Sequence, residues 1–284
     1  MINKIIQSVI FRWILVALLL LDIGFSFKQH YISFIDGDLA EVVFPDEKNG
    51  YLEVLYDPLG IEVIKGGAVY ENPNRFFAHW NTKIYMEYVP HFFQAFTDPI
   101  ISVYISMALI KTMFQVLCIF LIYIWIIQIV RLYGNFKLVA LLIITCLFQT
   151  HGYNSTMGII NKAITYNFFY VWPFCLLLIF LLPFFKSILN GYEEGLKFSF
   201  IQHLLLVALL FVLSFSSPLI PGVLGVLILM YVSRAAFQTL SSTDFRKSVF
   251  MGNYFRQNSN FIFYIFLSAV FSLYSLYLGK FNSI

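Results

Sequence analysis

WILVALLLL, residues 13–21, is an unbroken apolar run, and the residues around it extend the pattern from Ile5 to Phe27 with charges at Arg12 and Asp22 alone. About 20 such residues are what an α-helix needs to cross roughly 30 Å of hydrocarbon. The run therefore predicts a first membrane span over 5–27. Gly24-Phe25-Ser26 is a weak match to a signal-peptidase site, but the rest of the chain keeps returning to the membrane, so an uncleaved anchor is expected.

Outward from that span, 60% of the 284 residues are hydrophobic and 12% are charged, with a mean hydropathy of +0.80. These values place the chain among integral membrane proteins. The expected architecture is an all-α, polytopic bundle of about seven transmembrane helices. The spans fall at about 5–27, 112–130, 138–150, 166–185, 198–215, 218–232 and 261–278, with one long extracytoplasmic loop at 28–98. Two of these spans leave alternatives open. The apolar stretch from Pro99 to Val130 is either an interfacial helix followed by a crossing from about Thr112, or one tilted helix. The segment 138–150 is short enough to be re-entrant. Pro173 and Pro183 are expected to kink the fourth span.

Cys118, Cys146 and Cys175 all lie in apolar runs, which reads as packing rather than a disulfide framework or metal site. A net charge of +3 without a Lys/Arg cluster excludes a nucleic-acid face. The basic residues instead set orientation. With the N-terminus in the cytoplasm, the inner segments carry ten Lys and Arg, among them Arg131, Lys137, Arg246 and Lys247. The short outer segments carry Lys162 and Lys280. The acidic loop is then outside the cytoplasm, and the compartment expected is the bacterial inner membrane.

That loop has eleven acids against five bases. Asp36-Gly37, Asn49-Gly50, Asp57-Pro58, Gly66-Gly67 and Asn72-Pro73 punctuate it with turns. Its many aromatic residues, Tyr51, Tyr70, Phe76 and Trp80 among them, predict a folded segment, with amphipathic helices lying in the headgroup layer from Arg75 to Phe96. Lys111, inside the second apolar run, is expected to snorkel toward the interface.

Asp36-Gly37-Asp38 is the first acidic cluster, immediately after the first span. Carboxylates at i and i+2 share one side of an extended segment, and Gly37 lets both converge on one cation, with Mg²⁺ or Mn²⁺ the suitable hard ions. An EF-hand is excluded, because Ala40 offers no ligand at the fifth position and Glu41 replaces the glycine at the sixth. His79 and His91 lack a third ligand for zinc. Walker, GxSxG and HExxH motifs are absent from the sequence.

An acidic motif just after the first span, followed by an outer loop whose amphipathic helices lead into the second, resembles the GT-C superfamily of membrane glycosyltransferases. The resemblance covers about residues 1–130 in layout and is specific in sequence at Asp36-Gly37-Asp38. It implies a polyprenyl-phosphate-linked sugar as donor, with an acceptor hydroxyl attacking the anomeric carbon and displacing lipid phosphate. Asp36 or Asp38 would serve as general base or as metal ligand, and Arg75, His79, Lys83 and Lys111 would be candidates to hold the phosphate. Two other readings compete. One is a small-molecule transporter whose pathway includes Asp22 and Lys111; the other is a noncatalytic subunit of a membrane assembly.

Overall fold

A computed structural model describes residues 8–35, 37–43, 51–148, 159–189, 198–241 and 259–283. Among these the chain is all-helical, and it forms no strand beyond an isolated bridge between Tyr70 and Asn282. It divides into two compact units, residues 1–47 with 79–178 and residues 48–78 with 179–284.

In the first unit, α1 (Val9–Tyr31) begins where the Ser8 hydroxyl accepts from the Phe11 amide. At ~1.5 Å per residue its 23 residues measure about 35 Å, enough to span a bilayer. Most of its surface faces outward, while Leu15, Ser26 and His30 turn inward. The short helix α2 (Gly37–Val43) follows. The long helix α6 (Pro99–Ile129) is capped by Asp98, whose Oδ1 accepts from the amides of Ile100 and Ile101 at 3.0 Å, and Pro99 supplies the pre-set first residue. Its 31 residues form one continuous helix, which resolves the alternative left open at Lys111.

Helix α7 (Phe136–Thr145) continues as a 3₁₀ turn to Phe148. Asn135, just before it, accepts from Arg12 Nε at 3.1 Å and donates to the Ser8 carbonyl at 3.0 Å. The head of α7 is thereby tied to the head of α1. Helix α8 (Ile164–Leu189), whose residues 179–189 belong to the second unit, contains a π-helical turn at Asn167–Val171. Pro173 cannot donate to the carbonyl of Phe169 and its ring crowds that oxygen, which accounts for the widened turn directly before it.

The second unit contains α3 (Tyr51–Tyr56), α4 (Ile61–Gly66), α9 (Phe200–Ser214), α10 (Leu219–Ser241) and α11 (Ser259–Gly279). Asp57 caps α4, its two oxygens accepting from the amides of Ile61 (2.6 Å) and Glu62 (2.9 Å) and from the Tyr70 hydroxyl (3.0 Å). Gly60 adopts φ +63° with Leu278 so close that a Cβ would lie 2.5 Å from it, so no larger residue fits there. Val54, Val63, Tyr70, Phe215 and Leu278 form the core of this unit. Tyr274 donates to the Leu59 carbonyl at 2.6 Å and Asn74 to that of Ser275 at 3.1 Å. This half of the acidic segment is therefore folded, as its aromatic content predicts. A capping box of Ser199 and Gln202 starts α9.

Helix α5 (Phe76–Gln94) crosses the boundary between the units. Within the first unit it buries His79, Thr82 and Met86, and it exposes Trp80, Ile84, Tyr88 and Phe92 at four-residue spacing.

Among the described residues four helices, α1, α6, α8 and α11, are long and apolar enough to cross a membrane. Helices α9 and α10, bent by 120° at their junction, add a fifth if counted as one broken span. A multi-pass membrane chain follows. Of the seven expected spans, the segment 138–150 corresponds to the short helix Phe136–Phe148, and 198–215 and 218–232 correspond to the bent pair.

Candidate functional site

The tail of α1 and the middle of α6 run antiparallel and share a row of polar groups. Asp22, Ser26 and His30 recur every four residues, so they occupy one helical face, and Ser33 follows just past the helix end. Lys111 and Gln115 do the same on α6. Gln115 donates from Nε2 to the Ser26 hydroxyl at 2.9 Å, which leaves its Oε1 to accept from His30 Nε2 at 3.1 Å. One turn away, Lys111 Nζ donates to the Ser33 hydroxyl at 2.8 Å and to the backbone carbonyl of Lys162.

Lys111 is 0% exposed, and Gln115, His30 and Ser26 are all buried. The expected snorkelling is thus corrected: the ammonium is held by oxygens inside the protein. An ammonium taken out of water costs several kcal/mol unless hydrogen bonds replace its hydration, and the Ser33 and Lys162 oxygens do so here. The Lys162 carbonyl is itself held in place. Asn167, in the π turn, donates from Nδ2 to the carbonyls of Asn161 (2.8 Å) and Ala163 (2.7 Å), and its Oδ1 accepts from the Asn161 amide at 3.1 Å. With the flanking carbonyls clamped, that of Lys162 is left to meet the lysine.

A cavity of about 240 Å³ opens beside this cluster, lined by Gln29, His30, Ser33, Phe34, Asn161 and Lys162 among others. Ser33 and Lys162, whose oxygens accept from Lys111, both belong to this wall. The charge of Lys111 therefore stands one hydrogen bond behind the lining, where low dielectric makes it count.

The residues singled out from sequence are placed as follows. Lys111 is at the centre of the cluster. Asp36 lies outside the described residues, three positions beyond Ser33. Asp38 is exposed in the first turn of α2. His79 is buried with its ring edge-on to Phe169, centroids 5.0 Å apart. Lys83 is half-buried, and neither His79 nor Lys83 lines the cavity. Arg75 belongs to the second unit. Among the described residues no group of three or more His, Cys, Asp or Glu side chains gathers as a metal site.

Sequence reasoning missed Ser26, His30, Gln115 and the Lys162 carbonyl. The signal available for the side chains was polar residues repeating at i and i+4 inside apolar runs, on two different helices. Comparison with protein-family models, with characterised proteins and with solved structures gave no match to this chain.

Proposed function

We propose that this chain is a membrane glycosyltransferase that takes a sugar from a polyprenyl-phosphate donor at the extracytoplasmic face. The observation carrying this reading is the buried Lys111 cation, set behind a polar cavity at the end of the first span, with Asp36-Gly37-Asp38 next in the chain. An anionic lipid headgroup is what a buried ammonium and the half-buried Lys162 beside a bilayer would attract.

In the transfer, the acceptor oxygen attacks the anomeric carbon and the bond from that carbon to the phosphate oxygen breaks. The phosphate leaves with the electron pair, and Asp36 or Asp38 takes the hydroxyl proton. Lys111 and Lys162 offset the charge that grows on the leaving phosphate. Mg²⁺ or Mn²⁺, where the enzyme uses one, would take its oxygens from Asp36 and Asp38 and add Lewis-acid stabilisation. The exposed apolar edge of α5, Trp80, Ile84, Tyr88 and Phe92, would rest in the headgroup layer. The bacterial inner membrane, with the N-terminus cytoplasmic, is the setting proposed.

The test is donor binding followed by turnover. Asp36→Asn or Asp38→Asn should abolish transfer from polyprenyl-phosphate sugars while the protein remains folded; transfer surviving both substitutions would exclude the motif from the chemistry.

A transporter is the second reading, favoured by Asp22. One of its carboxylate oxygens is buried without a hydrogen-bond partner in the span, in line with Ser26 and His30. Under that reading Asp22→Asn would stop solute flux, whereas the transferase reading leaves donor binding untouched by it.

A further inference from the structure

Two of the three cysteines face each other. Cys118 of α6 and Cys175 of α8 are both 0% exposed, and their sulfurs lie 3.2 Å apart as hydrogen-bonded free thiols. Both residues belong to the first unit. Cys146, the third, is exposed in the 3₁₀ turn after α7. Packing is what the apolar runs predict for Cys118 and Cys175, and their contact adds chemistry that neither has alone. Sulfurs 3.2 Å apart need to approach by about 1.2 Å to reach bonding distance. Small turns about the two Cα–Cβ bonds supply a movement of that size.

The position of the pair gives such a bond a consequence. Lys111, Gln115 and Cys118 fall at i, i+4 and i+7, so Cys118 shares the face of α6 that carries the buried lysine. Cys175 stands four residues beyond the π turn whose Asn167 clamps the carbonyls on either side of Lys162. A bond between the sulfurs pins α6 to α8 about two helical turns along α6 from Lys111, which meets the Lys162 carbonyl.

The surroundings select the oxidant. Phe114 and Leu121 lie one turn to either side of Cys118, Val171 lies one turn before Cys175, and all three are buried. Making a charge in such surroundings is costly, so the hydrogens leave as proton and electron together. An uncharged quinone dissolved in the bilayer accepts them. Both S–H bonds break and the S–S bond forms; each sulfur gives up one electron and one proton, and the quinone is reduced to its hydroquinone.

We propose that Cys118 and Cys175 are a redox-sensitive pair that a membrane-soluble quinone closes into a disulfide, locking α6 to α8 beside the Lys111 cluster. The proposal stands on the sulfur contact and is independent of the transferase reading.

The test uses the full chain in lipid nanodiscs, treated either with duroquinone, whose fully substituted ring cannot take up a thiol, or with oxidised glutathione, a charged disulfide confined to water. Free thiols are counted with a maleimide after denaturation, and unreduced peptides are identified by mass spectrometry. Duroquinone should lower the count from three to one and yield a peptide linking Cys118 to Cys175 in protein that still runs as a monomer. It should also raise Tm by about 5 °C or more and slow backbone hydrogen exchange over residues 159–178, and dithiothreitol should reverse every effect. Oxidised glutathione should mark Cys146 alone. Cys118→Ala and Cys175→Ala should each abolish the response of Tm and exchange to duroquinone. Three thiols left after duroquinone, a linked peptide that contains Cys146 instead, the same Tm rise in both alanine variants, or a Cys118–Cys175 link with Tm and exchange unchanged would overturn the proposal.

Discussion

A lysine in the middle of a 31-residue apolar helix can meet its need for solvation by stretching to the interface or by finding oxygens in the protein. Lys111 does the second, and hydropathy gave little warning because it bonds to a serine beyond the end of another helix and to a backbone carbonyl 51 residues away. Lys111→Met should keep the fold, since the Ser33 hydroxyl also donates to the His30 carbonyl and an apolar residue in place of a buried charge is often tolerated. Donor binding should fall at least tenfold; unchanged binding by titration would remove Lys111 from the site. Asp57 shows the opposite case, an acid that reads as a loop charge and proves to be a helix cap. Asp57→Ala should lower stability by about 1–3 kcal/mol in thermal melts. Its partner Tyr70 has its phenol pushed above the ordinary value of 10.0, by burial first and by the bond to Asp57 second. The folded-state value exceeds the unfolded one, so this contribution is complete below pH 10 and declines as pH rises beyond it. Wild-type Tm should therefore drop more steeply above pH 10 than that of Tyr70→Phe, and parallel profiles would contradict the assignment.

Among the elements, the π turn of α8 is what connects local sequence to the cluster. Pro173 was legible as a disturbance, but its consequence was not, because a proline can kink, widen or end a helix according to what packs against it. Here Phe168 meets Phe114 edge-on at 5.4 Å and Trp172 stacks on Phe114 at 5.8 Å, so the helix widens with its aromatic contacts kept. Asn167→Ala would release the carbonyls of Asn161 and Ala163. Donor binding should weaken about as much as in Lys111→Met, although Asn167 is not among the residues that line the cavity; wild-type affinity in Asn167→Ala would show that the clamp is dispensable. The break between the expected spans 198–215 and 218–232 was readable, whereas the 120° bend there depends on packing that one-dimensional periodicity does not encode.

For the molecule as a whole, membrane class was written in composition, since lipid cannot satisfy backbone groups and long apolar helices are one of its few solutions. The number of spans was less legible, because length decides crossing and the apolar runs after residue 135 include short and bent helices. Within the first unit, Asn135 bonds to the head of α1 and the Lys162 carbonyl meets a lysine bonded to Ser33, just beyond its tail. Asn135 and Lys162 therefore meet opposite ends of α1. Lys137→Cys and Lys162→Cys should label from opposite sides of sealed vesicles, with Lys162→Cys on the side of the acidic loop; labelling from one side would reverse this. The most direct test is thermal stabilisation of the purified protein by polyprenyl-phosphate sugars, with and without Mg²⁺ or Mn²⁺, in wild type, Asp36→Asn, Asp38→Asn and Lys111→Met. A donor that raises wild-type Tm, with the rise reduced in Lys111→Met and in at least one aspartate variant, is the expected result. Folded wild-type protein that no donor stabilises, across several sugars, would contradict the proposed function.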